Sequence, residues 1–183
     1  ILNIIGDRID LMCYLKWNMK IYFISLLKGD YMYEFFTDGA VSNNGKENSI
    51  GSWGFICVKN KEIIDKFTEK MNVVTNQYCE LMGILSACKY IEKNNLYPNC
   101  INTDSAYCYN AWNDKWYINW EKNDWNTSKN TPVKNKDIWL QLLPYFKNPN
   151  FYFNKVKGHA ADDNTNSYWN NYIDKLVVET RLS

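Results

Sequence analysis

From Tyr33 onward, apolar and polar positions recur with periods that divide the chain into elements. Tyr33-Glu34-Phe35-Phe36-Thr37-Asp38 is aromatic-rich and reads as a strand ending at Asp38, and the polar run Ser42 to Ser49 reads as a turn. Gly51 to Val58 is a second strand, joined through Lys59-Asn60-Lys61 to a third over about Glu62 to Lys70. Three consecutive strands with short connections pair antiparallel. Leu81, Ile84, Leu85, Cys88 and Ile91 then recur at helical spacing, which predicts a helix over about Asn76–Lys93 with Thr75 as its cap. Asn99 to Thr103 is a short buried strand, and a helix is expected to start near Asp104 or Ser105. Trp116 and Trp120 share one helical face, Asp137 to Phe146 is a further helix, Phe151 to Lys157 alternates as a strand, and Tyr168 to Thr180 closes as a helix. Strands that alternate with helices late in the chain pair in parallel. The expected fold class is therefore α/β: a mixed five-stranded sheet, three strands antiparallel and then two parallel, flanked by helices.

Length and composition fit one domain with a substantial core. The chain has 183 residues, 46% hydrophobic and 16% aromatic. A net charge of +1 excludes a strongly basic protein, so any nucleic-acid surface has to be local. The six cysteines, Cys13, Cys57, Cys79, Cys88, Cys100 and Cys108, form no Cys-x-x-Cys pair, and His159 is the single histidine. Zinc-ligand spacing is thus missing, and the cysteines read as reduced core residues of an intracellular, cytoplasmic protein, or a nuclear or viral one if the source is not bacterial. The apolar run Ile21–Leu27 is far short of the ~20 residues that span a bilayer, so no membrane partner is expected. The chain begins at Ile1, and Met32 reads as a candidate natural start. Residues 1–31 are expected to be a poorly packed extension, with the domain over 32–183.

Four acids stand where strands and helices can aim them at one place. Asp38 and Asp104 each follow a strand, Glu80 lies one turn into the first long helix, and Asp174 precedes Leu176 and Val177 on the last. Carboxylates packed together repel and raise one another's pKa values. A hard divalent cation removes that conflict, and an all-oxygen donor set suits Mg²⁺ or Mn²⁺. Two ions ~3.5–4 Å apart can activate a water and steady a leaving oxygen without any nucleophilic side chain.

The segments Phe36-Thr37-Asp38-Gly39-Ala40, Thr75 to Leu81, Asn102 to Tyr107, Val156-Lys157-Gly158-His159-Ala160 and Asn170 to Leu176 resemble, in order, the motifs of the ribonuclease H1 family. The resemblance spans about Tyr33 to Val178. It implies the ribonuclease H-like fold and an endonuclease that cuts the RNA strand of RNA–DNA hybrids nearly independently of sequence, acting as a monomer. It implies ligation of two Mg²⁺ by Asp38, Glu80, Asp104 and Asp174, with His159 in a loop assisting proton steps. Gly39, Asn44, Asn76 and Gln77 would face the hybrid, where the wide minor groove displays 2′-hydroxyls, and Thr75 would face a DNA phosphate. Residues 112–136 resemble the family's basic protrusion. There Lys122 and Lys134 would neutralise phosphates, and Trp116 would meet the DNA strand.

The chain also departs from the family pattern. The first loop lacks a Gly-Pro-Gly pattern, Val73 replaces a common basic residue, and Ala106 stands where a Gln is frequent. The segment between His159 and Asp174 is long, which predicts an insertion over Ala161–Trp169. Plainer roles compete at several positions. An Asp after a strand forms turns, Asn76 can simply cap a helix, Trp120 and Trp125 read as packing, and lysine runs solvate surfaces. Asp162 or Asp163 could replace Asp174 as the fourth acid. Three rival readings remain: the nuclease domain of a larger reverse-transcribing polyprotein, a hybrid-binding module without catalysis, and a general single-strand or duplex nuclease on the same fold.

Overall fold

The computed structural model of the chain describes residues 32–158 and 165–183. Its contacts divide the chain into Ile1–Met32 and Tyr33–Ser183. The expected extension over residues 1–31 lies outside the described residues. Its elements run β1 (Tyr33–Ser42), β2 (Ile50–Lys59), β3 (Glu62–Asn72), α1 (Asn76–Asn94), β4 (Asn99–Thr103), α2 (Ala106–Asn113), α3 (Trp116–Lys122), α4 (Lys136–Lys147), β5 (Phe153–Lys155) and α5 (Thr165–Leu182).

The five strands form one sheet in the order β3-β2-β1-β4-β5. β1 pairs antiparallel with β2, and β2 with β3, while β4 runs parallel to β1 and to β5. The mixed sheet expected from the pattern is therefore the one found. β1 occupies the centre, and its alternate residues serve two cores. Phe35 packs with Phe55, Cys57, Leu81, Ile84, Leu85 and Ile91, so this face is covered by α1. Phe36 and Ala40 pack with Ile56, Val58, Trp169, Ile173 and Val177, so the other face is covered by α5. The period of two in the strand is what separates the cores.

Several boundaries differ from expectation. β1 continues to Ser42, which pairs with Ile50, so Asp38 lies inside the strand rather than at its end. β5 contains three residues because its pairing with β4 spans only Ile101 to Thr103. α5 begins at Thr165, so Thr165–Trp169 are helix rather than inserted loop. Thr75 does cap α1, its side chain accepting from the Tyr78 amide at 3.3 Å. β3 is an edge strand whose charged residues Asp65, Lys66, Glu69 and Lys70 are exposed alongside Phe67 and Met71.

The helix nearest the sheet is held close by glycine. A Cβ at Gly39 would lie 2.5 Å from the Cys79 carbonyl carbon and 2.6 Å from the Glu80 nitrogen, both backbone atoms that cannot swing aside. Gly39→Ala should therefore push α1 off β1. Overpacking of this kind costs roughly 1–3 kcal/mol, and the melting midpoint should fall by several degrees. A midpoint unchanged in differential scanning calorimetry would show that α1 does not need this close approach.

Candidate metal centre

Strand register brings the first two acids together. Parallel pairing of β1 with β4 ends at Thr37 opposite Thr103, and the following residues are Asp38 and Asp104. Asp38 is buried, with its Oδ1 accepting from the Gly39 amide at 2.8 Å. The close approach at Gly39 then delivers Glu80 from α1, also buried. Asp38, Glu80 and Asp104 each offer a carboxylate oxygen, and these atoms lie within 4.8 Å of one another. Asp174 on α5 joins the group through a hydrogen bond and a charge interaction with Asp38.

The electrostatics follow from burial and crowding. Removal from water, and then the Asp104 charge, push the Asp38 carboxyl up to about 8 from an ordinary 3.8. Burial and the Asp38 charge hold Glu80 well above the usual carboxylate range. Glu80 Oε1 accepts from Asn76 Nδ2 at 3.5 Å, whereas its buried Oε2 has no hydrogen-bond partner among the described residues. A buried carboxylate oxygen left without a donor beside two further carboxylates is a fitting place for a cation. Burial pushes the neighbouring Cys79 thiol up to about 12 and raises Cys108 as well. All five described cysteines are buried, and Cys57, Cys79, Cys88 and Cys108 are free thiols. Among the described residues the donors that converge are carboxylate oxygens, a hard set that fits Mg²⁺ or Mn²⁺.

Other residues singled out from the sequence fall into two groups. Asn44, Thr75, Asn76 and Gln77 gather at the start of α1, where Asn44 Oδ1 accepts from the Asn76 amide at 3.0 Å. Thr75 and Gln77 are exposed there, and Asn76 connects this polar rim to Glu80. Trp116, Lys122 and Lys134 belong to α3 and the segment before α4. Trp116 is half-buried against Tyr107 and Trp120, while both lysines are exposed. Trp120 and Trp125 pack with Trp139 and Val133 in the core. Glu121 is paired with Lys147 at 2.8 Å, which removes one of the acids that would offset the local lysines. His159, Asp162 and Asp163 lie outside the described residues.

Two contacts at the site were not anticipated. A Cβ at Gly158 would stand 2.8 Å from Asp104 Oδ2, so the backbone just before His159 rests on that acid. Asn170 Nδ2 donates to Asp104 Oδ2 at 3.1 Å. The signal for Asn170 was present in the sequence as a polar residue one helical turn before Asp174, amid the inward-facing Trp169, Ile173 and Val177.

Comparison with known proteins places this geometry. A sequence model of the RNase H family matches residues 30–181. The chain is 38% identical over 149 residues to a ribonuclease H of Clostridium botulinum, covering 79% of this chain and 91% of that protein. It is 36% identical over 151 residues to a ribonuclease H of a Thermoanaerobacter species, covering 80% and 87%. Among solved structures, the PFV RNase H domain superposes with a TM-score of 0.70 at 22% identity, covering 84% of this chain and 96% of that one. LC9-RNase H1 does so with a TM-score of 0.67 at 18% identity, covering 83% and 72%. Both likenesses concern the fold.

Asp38 gives the site a pH signature. Its folded value of about 8 exceeds the unfolded 3.8, so the native chain keeps a proton that the unfolded chain releases above about pH 4. Stability from this group is complete below that point and is lost as pH rises through about 8. The metal-free melting midpoint should fall across this window, and Asp38→Asn should flatten much of the fall. A midpoint that rises with pH in metal-free protein would contradict this.

Proposed function

The chain belongs to the ribonuclease H family, and from that membership we propose that it hydrolyses the RNA strand of RNA–DNA hybrids, leaving a 5′-phosphate and a 3′-hydroxyl. The observation that carries the reading is the convergence of Asp38, Glu80 and Asp104 within 4.8 Å, with ribonuclease H relatives at 36–38% identity in support. Asp38, Glu80, Asp104 and Asp174 are the ligands in this reading. Two divalent cations held there, Mg²⁺ or Mn²⁺, would supply the positive charge that activates water and steadies the leaving oxygen. The protein's own task is to hold four carboxylates in register and to present the scissile phosphate to them.

Binding is assigned to two surfaces. Gly39, Asn44, Thr75, Asn76 and Gln77 would meet the minor groove, where 2′-hydroxyls identify the RNA strand by shape and polarity rather than by base. Trp116, Lys122 and Lys134 would engage the DNA strand, with the lysines neutralising phosphates. Recognition of this kind is largely independent of sequence. His159 is assigned to proton transfer near the site, supported by the contact of Gly158 with Asp104. Residues 32–183 carry the activity in this reading, acting as a monomer in the cytoplasm. Among the described residues no helix is long and apolar enough to cross a membrane.

Strand-resolved digestion of a labelled hybrid, duplex DNA and duplex RNA tests the proposal. Only the RNA of the hybrid should be cut, and EDTA should stop the reaction. Asp38→Asn should abolish cleavage while hybrid binding largely survives; turnover like that of the wild type in Mg²⁺ would refute the ligand assignment. His159→Ala should lose less than Asp38→Asn. Replacing Lys122 or Lys134 with Ala should weaken binding evenly across sequences and lower the salt slope by about 1 each. An unchanged slope would remove that lysine from the interface.

A further inference from the structure

The inward stripe of α5 is apolar at Trp169, Ile173 and Val177, yet position 170 within it is an asparagine only 1% exposed. A primary amide buried in such a stripe normally has both ends bonded. Here one end is. Asn170 Nδ2 donates to Asp104 Oδ2 at 3.1 Å, and the buried Oδ1 has no hydrogen-bond partner among the described residues. The nitrogen is the donor end of the amide, and it is the end turned to the carboxylate oxygen. The half-satisfied amide is therefore poorly explained as a device for stability, because an apolar residue would suit the stripe better.

Asp104 has need of such a partner. It follows the last paired residue of β4 and precedes Ser105, the cap of α2, so it sits in a link outside both elements. Gly158 closes on its Oδ2 from β5's side of the chain, and Asn170 donates to the same oxygen from α5. One helical turn beyond Asn170, Asp174 bonds Asp38. Residues four apart share a helix face, so a single face of α5 engages both Asp38 and Asp104.

We propose that Asn170 is a positioning residue that fixes the Asp104 carboxylate for cation binding, and that α5 sets the spacing of Asp38 and Asp104 through Asn170 and Asp174. This rests on the metal reading above. Asn170 touches neither substrate nor cation in this scheme; it acts through Asp104, as groups behind metal ligands commonly do.

The test is Mn²⁺ titration of the full chain without hybrid, by calorimetry, comparing wild type, Asn170→Ala, Asp104→Asn and the double variant. Asn170→Ala should weaken Mn²⁺ binding by about 10–100-fold, with the metal-free melting midpoint nearly unchanged. It should also lower kcat while leaving KM for the hybrid in place. In the Asp104→Asn background the same change should cause no further loss, because the two residues act as one unit. Should the alanine variant fold poorly, Asn170→Leu, which keeps the branching and heavy-atom count of asparagine, should pack in the stripe and show the same weakened binding. Wild-type affinity in the folded Asn170 variants, or an equal loss in both backgrounds, overturns the proposal. A wild-type chain that binds no Mn²⁺ overturns the metal reading itself, and the role of Asn170 falls with it.

Discussion

Parallel pairing between β1 and β4 stops at Thr37 and Thr103, and the next residue along the chain from each is an aspartate. Everything else at the site is arranged around the repulsion this creates. Buried carboxylates side by side are tolerable when protonated or when a cation sits between them, and Asp38, pushed up to about 8, shows how strongly burial and crowding act. The helices on either face then add further acid rather than relief: Glu80 from α1 and Asp174 from α5. A fold that gathers negative charge where it is hardest to bear gives up stability for affinity toward positive charge.

Much of this was legible in the chain because the relevant signals are local. Period-two stretches marked the strands, the recurrence of Leu81, Ile84, Leu85, Cys88 and Ile91 marked α1, and the acids stood inside recognisable motifs. What the sequence hid depends on partners far along the chain. Asp38 reads as a strand end because its neighbours Gly39 and Ala40 carry little strand propensity, yet β2 extends pairing to Ser42. β5 is short because only Ile101, Asn102 and Thr103 of β4 pair with it. An asparagine on a helix has many uses, and the partner of Asn170 is 66 residues away in sequence, so no local pattern names it.

The tryptophan-rich region illustrates the same division. Trp120, Trp125 and Trp139 form a continuous aromatic layer with Phe146 and Phe153 through tilted and edge-on ring contacts, so α3 and α4 are fixed by large apolar faces. Their outer surface is free to carry charge. The Lys147–Glu121 pair lies on that outer side and links the end of α4 to α3. The aromatic layer thus makes a rigid platform of a region whose composition alone would suit an ordinary solvated surface.

The edge strand β3 carries its own guard against sheet extension. Two copies laid side by side in antiparallel fashion, centred on Phe67, would set Asp65 of one directly opposite Glu69 of the other. Centred on Thr68, they would set Lys66 opposite Lys70. Like charges face each other in both central registers, so the exposed backbone of a long strand, despite the apolar Phe67 and Met71 beside it, is poorly suited to zipping up with its own kind.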